Sequence, residues 1–145
     1  MDTINQVQDE IIEEFDGMTD WMDRYAYIIE SGNSLPDYPE SEKTPQNLIE
    51  GCQSRVWIDA RLGDDGRIEF HADSDALIVK GIVSLLMRVL DNRTPDEILG
   101  ADLYFIDKIG LREHLSPTRS NGLVAMVKQI NDYARAFKII EADRK

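Results

Sequence analysis

Residues 76–90, ALIVKGIVSLLMRVL, are apolar on nearly every side of a helix, and this constrains the fold more than any other stretch. A helix without a polar face has to be surrounded, so the rest of the chain must cover it. Asp73, Ser74 and Asp75 stand just before it with capping oxygens, and Asp73 and Asp75 are the expected caps. A chain of 145 residues can build one domain with a single sizeable core around such a helix.

The covering elements follow from periodicity and punctuation. In residues 3–16, Ile4, Val7, Ile11, Ile12 and Phe15 recur at helical spacing, and Gly17 closes the helix. Thr19 or Asp20 caps a second helix over 19–33, whose Trp21, Tyr25, Ile28 and Ile29 form an apolar stripe ending at Gly32 and are expected in the core. Residues 34–46 carry three prolines and no period, so they form an irregular loop. Residues 47–50 read as a short strand or an extended lead-in. Residues 54–62 alternate as a strand does, with Val56, Ile58 and Ala60 on one face. Gly63 to Gly66 make a hairpin turn, and 67–72 return as the next strand.

Thr94 caps a short helix with Pro95 at its first position, and 102–115 hold further short helical pieces. Ser116 and Pro117 open a long helix to about residue 143, with Leu123, Met126, Val127, Ile130, Ala134, Phe137 and Ile140 at its apolar positions. The sum is an α+β fold: a small antiparallel sheet of about three strands packed against helices. One domain is expected over 1–145, with an acidic N-terminal helix at 1–17.

The net charge of -12 is unevenly placed. Residues 1–50 hold 13 acids against Arg24 and Lys43 alone, whereas 51–145 are almost neutral. An acidic half repels phosphates, so nucleic acid is not an expected partner; it favours a basic protein surface, or simply keeps the chain soluble. No apolar run is long enough to span a bilayer, and the acidic start does not resemble a signal peptide. A cytoplasmic location follows as the expectation, with thiols kept reduced.

The sequence has one cysteine, Cys52, which excludes an internal disulfide and every multi-cysteine metal motif. With only His71 and His114 besides, no metal site is expected. Cys52 lies between Gly51 and Gln53, at the junction of an extended segment and a strand. Gly51 lets the backbone turn sharply and leaves the thiol one small neighbour. That setting leaves two readings open, a small buried hydrophobe and a working thiol. Attack on sulfur demands least of the remaining chain, because a thiolate is already a good sulfur nucleophile and a persulfide has a thiolate leaving group. At an ordinary pKa of about 8.5, a few per cent of a thiol is ionised near neutrality.

Residues 45–57, PQNLIEGCQSRVW, resemble the signature of the SufE-type sulfur acceptor proteins. Two further blocks are similar and lie in the expected order: 73–81, DSDALIVKG, and 114–123, HLSPTRSNGL. The early segment 25–30, YAYIIE, followed by Leu35 and Pro36, is similar too, and the resemblance runs from about residue 21 to about residue 136. It implies an α+β sandwich like that of the IscU scaffold, without that scaffold's three cysteines. It also implies that Cys52 accepts sulfane sulfur from the persulfide of a SufS-type cysteine desulfurase, stimulating that enzyme. The sulfur would then pass to a SufBCD-like scaffold complex that assembles iron–sulfur clusters. The pyridoxal phosphate belongs to the desulfurase, and the carrier binds no cofactor of its own. A homodimer is compatible with the same reading, and the SufE and CsdE subgroups are not separated by it.

Around Cys52, Gln53 and Ser54 are expected to shape the loop and donate hydrogen bonds, with Gly51 supplying the freedom to turn. Arg119 falls in the first turn of the last helix, against the helix dipole, where it would stabilise the sulfur anion or form a surface ion pair. Asp75 is a supporting residue as well as an expected cap, and His114 is a packed residue or a base. The thiol is expected to be sheltered over an apolar hollow between the sheet and the last helix. Two other functions compete: a cysteine hydrolase using Cys52, His114 and Asn121, and a binding module that activates a desulfurase without carrying sulfur.

Overall fold

A computed structural model of the chain describes residues 2–49 and 54–144. Helix α1 (Ile4–Asp16) begins with a capping box, in which Thr3 Oγ1 accepts from the Gln6 N–H and the Gln6 side chain accepts from the Thr3 N–H. Its apolar face buries Ile4, Val7, Ile11 and Phe15. Gln8 lies on the same face, fully buried, and clasps the distant chain: Nε2 donates to the Asp102 carbonyl at 2.9 Å and Oε1 accepts from the Phe105 N–H at 3.1 Å.

Helix α2 (Trp21–Gly32) is capped by Asp20, whose side chain accepts from the Met22 N–H. Of its expected core stripe only Ile28 is buried; Trp21, Tyr25 and Ile29 are half-buried. The helix approaches its neighbour at Gly81, where an added Cβ would lie 2.0 Å from the Ile28 carbonyl oxygen, so only glycine fits.

Strands β1 (Val56–Leu62) and β2 (Ile68–Ser74) form an antiparallel hairpin, with Val56 opposite Ser74 and Leu62 opposite Ile68. The expected count of about three strands is too high. Among the described residues the sheet has two, and the lead-in adds only an isolated bridge, Leu48 to Trp57. Two hydrogen bonds make that bridge, Ile49 N–H to the Val56 carbonyl (2.8 Å) and Ile58 N–H to the Asn47 carbonyl (2.9 Å). The pairing stops there because the Asn47 N–H turns back to the Thr44 carbonyl (3.1 Å) and the Ile58 carbonyl accepts from the Tyr133 hydroxyl (3.3 Å). The far edge of β2 is closed by Asn92 and Arg93, which exchange hydrogen bonds with Ile68.

Helix α3 (Leu77–Leu90) is the enclosed element its composition demands, with β2, α2 and α1 packed against it; Leu77, at its start, is exposed. Its cap differs from the expectation. Ala76 occupies the N-cap position, and neither Asp73 nor Asp75 caps the helix; Ser74 Oγ accepts from the Ala76 N–H. The two aspartates are drawn elsewhere, Asp73 to Lys43 and Lys80, and Asp75 to Arg55.

Helices α4 (Pro95–Leu99), α5 (Phe105–Lys108) and α6 (Leu111–His114) are short, α4 with a capping box of Thr94 and Glu97. Ser116 caps α7 (Pro117–Asp143), with Pro117 at its first position. Leu123, Met126, Ile130 and Ala134 are buried, but Ile140 is 46% exposed, because the last turns run past the core.

Candidate functional site: the two legs around Cys52

Cys52 lies outside the described residues, as do Gly51 and Gln53. The chain on either side is described, and both legs are fastened to the sheet. The inbound leg ends at Ile49, which is buried and bonded to Val56. The outbound leg begins at half-buried Ser54 and is fixed at Arg55. There the Arg55 N–H donates to Asp75 Oδ1 (3.0 Å), and its carbonyl accepts from the Asp75 N–H (3.2 Å) and from Ser74 Oγ (2.9 Å). Asp75 thus extends the ladder by side chain and backbone together, and Ser74 stays buried in doing so.

Beside the inbound leg, a groove of about 440 Å³ separates it from α7. Leu48, Ile49 and Ala125 give it an apolar side, while Gln46, Lys128 and Gln129 make the rest polar. The expected shelter of the Cys52 thiol lies outside the described residues. Leu48 and, on α7, Val124 remain exposed apolar groups in this region.

Arg119 is exposed, its N–H held by Ser116 Oγ at 3.3 Å, and among the described residues no carboxylate pairs with its guanidinium. His114 is placed differently. Its ring stacks on Trp21 at 3.6 Å, and Nδ1, facing the Gly110 carbonyl at 3.0 Å, is the protonated nitrogen. Tyr25 donates to the His114 carbonyl. Asn121 is exposed, and among the described residues no hydrogen bond joins it to that ring.

Loop 34–46 was legible in sequence only as irregular, yet it is a strap across the outer face of the sheet. Tyr38 is buried there and donates to Asp59 Oδ1 at 3.0 Å. Burial and the Asp59 charge push its phenol well above the usual tyrosine range. Lys43 lies 5.1 Å from the Trp57 ring centre and pairs with Asp73 and Glu40. Trp57 is buried beneath this strap rather than in the main core. A lone tyrosine among prolines was the one available sign of it.

Among the described residues no group of three or more His, Cys, Asp or Glu side chains could hold a metal ion. No helix formed by the described residues is long and apolar enough to cross a membrane.

The SufE family model, described as an Fe-S metabolism associated domain, matches residues 9–134. The chain belongs to the SufE family, and the match takes in part of α1, which the sequence resemblance had left out. A solution structure of a hypothetical protein from Thermus thermophilus is similar in fold, with a TM-score of 0.74 at 21% identity, over 92% of this chain and 96% of its own. At that identity the likeness speaks to the fold alone.

Proposed function

We propose that this protein is a sulfur carrier of iron–sulfur metabolism, in which Cys52 accepts persulfide sulfur from a cysteine desulfurase of the SufS type. The observation that carries the reading is the position of the only thiol, three residues from sheet-fastened backbone on either side, in a chain of this family. In the transfer, the Cys52 thiolate attacks the outer sulfur of the desulfurase persulfide. A new S–S bond forms at Cys52, the old one breaks, and the desulfurase cysteine leaves as thiolate. No oxidant is consumed, because the sulfane sulfur keeps its oxidation state.

The carrier needs no cofactor for that step; pyridoxal phosphate would act in the partner, which generates the persulfide. The persulfide would then pass to an iron–sulfur scaffold complex. Arg119, exposed and free of carboxylates among the described residues, is suited to stabilise the thiolate or persulfide anion. The hydrolase reading is weaker, since among the described residues no hydrogen bond joins the His114 ring to Asn121, the orienter that reading requires; its Nδ1 faces the Gly110 carbonyl instead.

Desulfurase turnover measured with and without the carrier tests the reading. Wild-type protein should stimulate turnover, and Cys52→Ser should not. Full stimulation by Cys52→Ser would make the protein an activating module instead of a carrier.

A further inference from the structure

The C-terminal end of α2 and the last turns of α3 enclose a crevice of about 360 Å³ whose polar side chains can accept hydrogen bonds but have almost none to give. Three serines line it, and each hydroxyl already donates to a nearby backbone carbonyl: Ser31 to Tyr27 (2.8 Å), Ser34 to Ser31 (2.7 Å) and Ser84 to Gly81 (2.6 Å). Each oxygen keeps lone pairs and has no second proton. Among the described residues the crevice's one cationic side chain, Arg88, is turned to Glu14 and Glu10 on α1.

Asp91 supplies the negative charge. It stands at the C-terminus of α3, where the helix dipole already disfavours a carboxylate. Its Oδ1 accepts from the Phe70 N–H at 2.8 Å, a bond that a neutral asparagine could accept as well, so closing the strand edge does not explain the charge. Burial pushes the Asp91 carboxyl above its usual range, and among the described residues no lysine or arginine pairs with it. Helix α2 ends at the same crevice with no basic residue in its last turn. Two helix C-termini and a half-buried carboxylate thus share one opening.

The remaining walls are apolar, Leu35 and Pro36 from one side and Leu85 and Met87 from the other. A group that fits carries positive charge, offers several N–H donors and trails a short alkyl chain. An ammonium puts three donors on a compact head, whereas a guanidinium is planar and larger. A hard metal ion needs more oxygen charge than one carboxylate provides.

We propose that this crevice binds a short primary alkylammonium ion, its head held by Asp91 and the serine oxygens and its chain laid along Leu35, Pro36, Leu85 and Met87. The site shares no residue with the legs around Cys52 and does not depend on the sulfur-carrier reading.

The experiment titrates the full isotope-labelled chain with n-butylammonium in about 0.15 M salt, which screens loose attraction to the acidic N-terminal half. Amide shifts of residues 30–35 and 84–92 should saturate together with a Kd of about 1 mM, an affinity within reach of a ligand this small. n-Butanol, with the chain but no charge, and tetramethylammonium, with the charge but no N–H, should each bind at least about tenfold more weakly. Asp91→Asn, which keeps an acceptor for Phe70, should weaken butylammonium at least about fivefold, and Ser34→Ala, at an exposed position, about threefold.

Nα-Acetyl-lysine methylamide distinguishes the two sources of such a group. Binding within about threefold of butylammonium assigns the crevice to a lysine side chain of another protein, and weaker binding assigns it to a free amine. Shifts that stay linear to about 20 mM butylammonium, or equal binding of either control ligand, would overturn the proposal. So would unchanged affinity in a folded Asp91→Asn protein; were that variant unfolded, wild-type affinity in Ser34→Ala would do the same.

Discussion

The Asp75 carboxylate accepts a hydrogen bond from the Arg55 N–H at 3.0 Å, at the point where the chain rejoins the sheet after Cys52. A side chain thus replaces the backbone carbonyl that would continue the ladder, so the outbound leg is fastened by a group that mutation can remove. Asp75→Ala should cost about 1 kcal/mol of stability. It should also accelerate amide exchange at Arg55 and alkylation at Cys52. Asp75→Asn, which keeps an acceptor oxygen, should exchange like wild type. Unchanged Arg55 exchange in Asp75→Ala would show that the ladder holds without the carboxylate.

Arg119 carries its charge at the positive end of α7, and among the described residues no carboxylate neutralises it. Its removal should therefore leave stability nearly intact or slightly improved. If its charge favours the thiolate, Arg119→Ala should slow sulfur acceptance about tenfold near neutrality and move the rising limb of the pH–rate profile to higher pH. Arg119→Lys should recover part of the rate. A folded Arg119→Ala protein with an unaltered pH profile would confine the residue to the surface.

Glu14 ties α1 to α3, receiving both guanidinium nitrogens of Arg88 at 2.8 and 2.6 Å as well as the Tyr27 hydroxyl. The Arg88 hydrogen bonds hold the Glu14 carboxyl below its usual range. A depressed carboxylate contributes stability that is fully present above the unfolded-state pKa, about 4.3, and is lost as pH falls through the lower folded value. The pair is about one-third exposed, so Glu14→Gln should cost only about 1 kcal/mol at pH 7. Thermal unfolding of the two proteins should converge as pH drops below about 4. A gap that persists at pH 3 would assign the loss to packing.

Several acids of the N-terminal half have structural duties, among them Asp9 with Tyr104, Glu10 and Glu14 with Arg88, and Asp20 as a cap. Glu13, Asp16 and Asp23 are exposed and make no ion pair among the described residues, so they report charge alone. Neutralising those three should slow association with the desulfurase at low salt and leave dissociation nearly unchanged, since exposed charges mainly steer encounter. The difference should fade above about 0.1 M salt, where the screening length is about 10 Å. Stopped-flow traces that coincide at every salt concentration would leave these acids with solubility only.

What could be seen in the sequence was local in origin. Asp20, Thr94 and Ser116 cap helices through partners two or three residues away, and the all-round apolarity of α3 announces burial by itself. The groups that escaped notice act over long separations. Gln8 bonds residues 94 and 97 positions onward, and Tyr38 reaches Asp59 across 21. Asp75 misled because a cap and a ladder extension make the same local pattern; Arg55, 20 residues earlier, decides between them. Cys52 was conspicuous as the only thiol, whereas the fastening of its legs depends on the strap and on the β2–α3 junction, which no local pattern encodes.

The central claim is that Cys52 carries the sulfur. Intact mass after incubation with a SufS-type desulfurase and cysteine tests it most directly, on wild-type protein and Cys52→Ser side by side. Wild type should gain the mass of one sulfur atom per chain, removable by a thiol reductant, and Cys52→Ser should gain none. A wild-type chain that stays unmodified while the desulfurase turns over, or an adduct that survives in Cys52→Ser, would contradict the account.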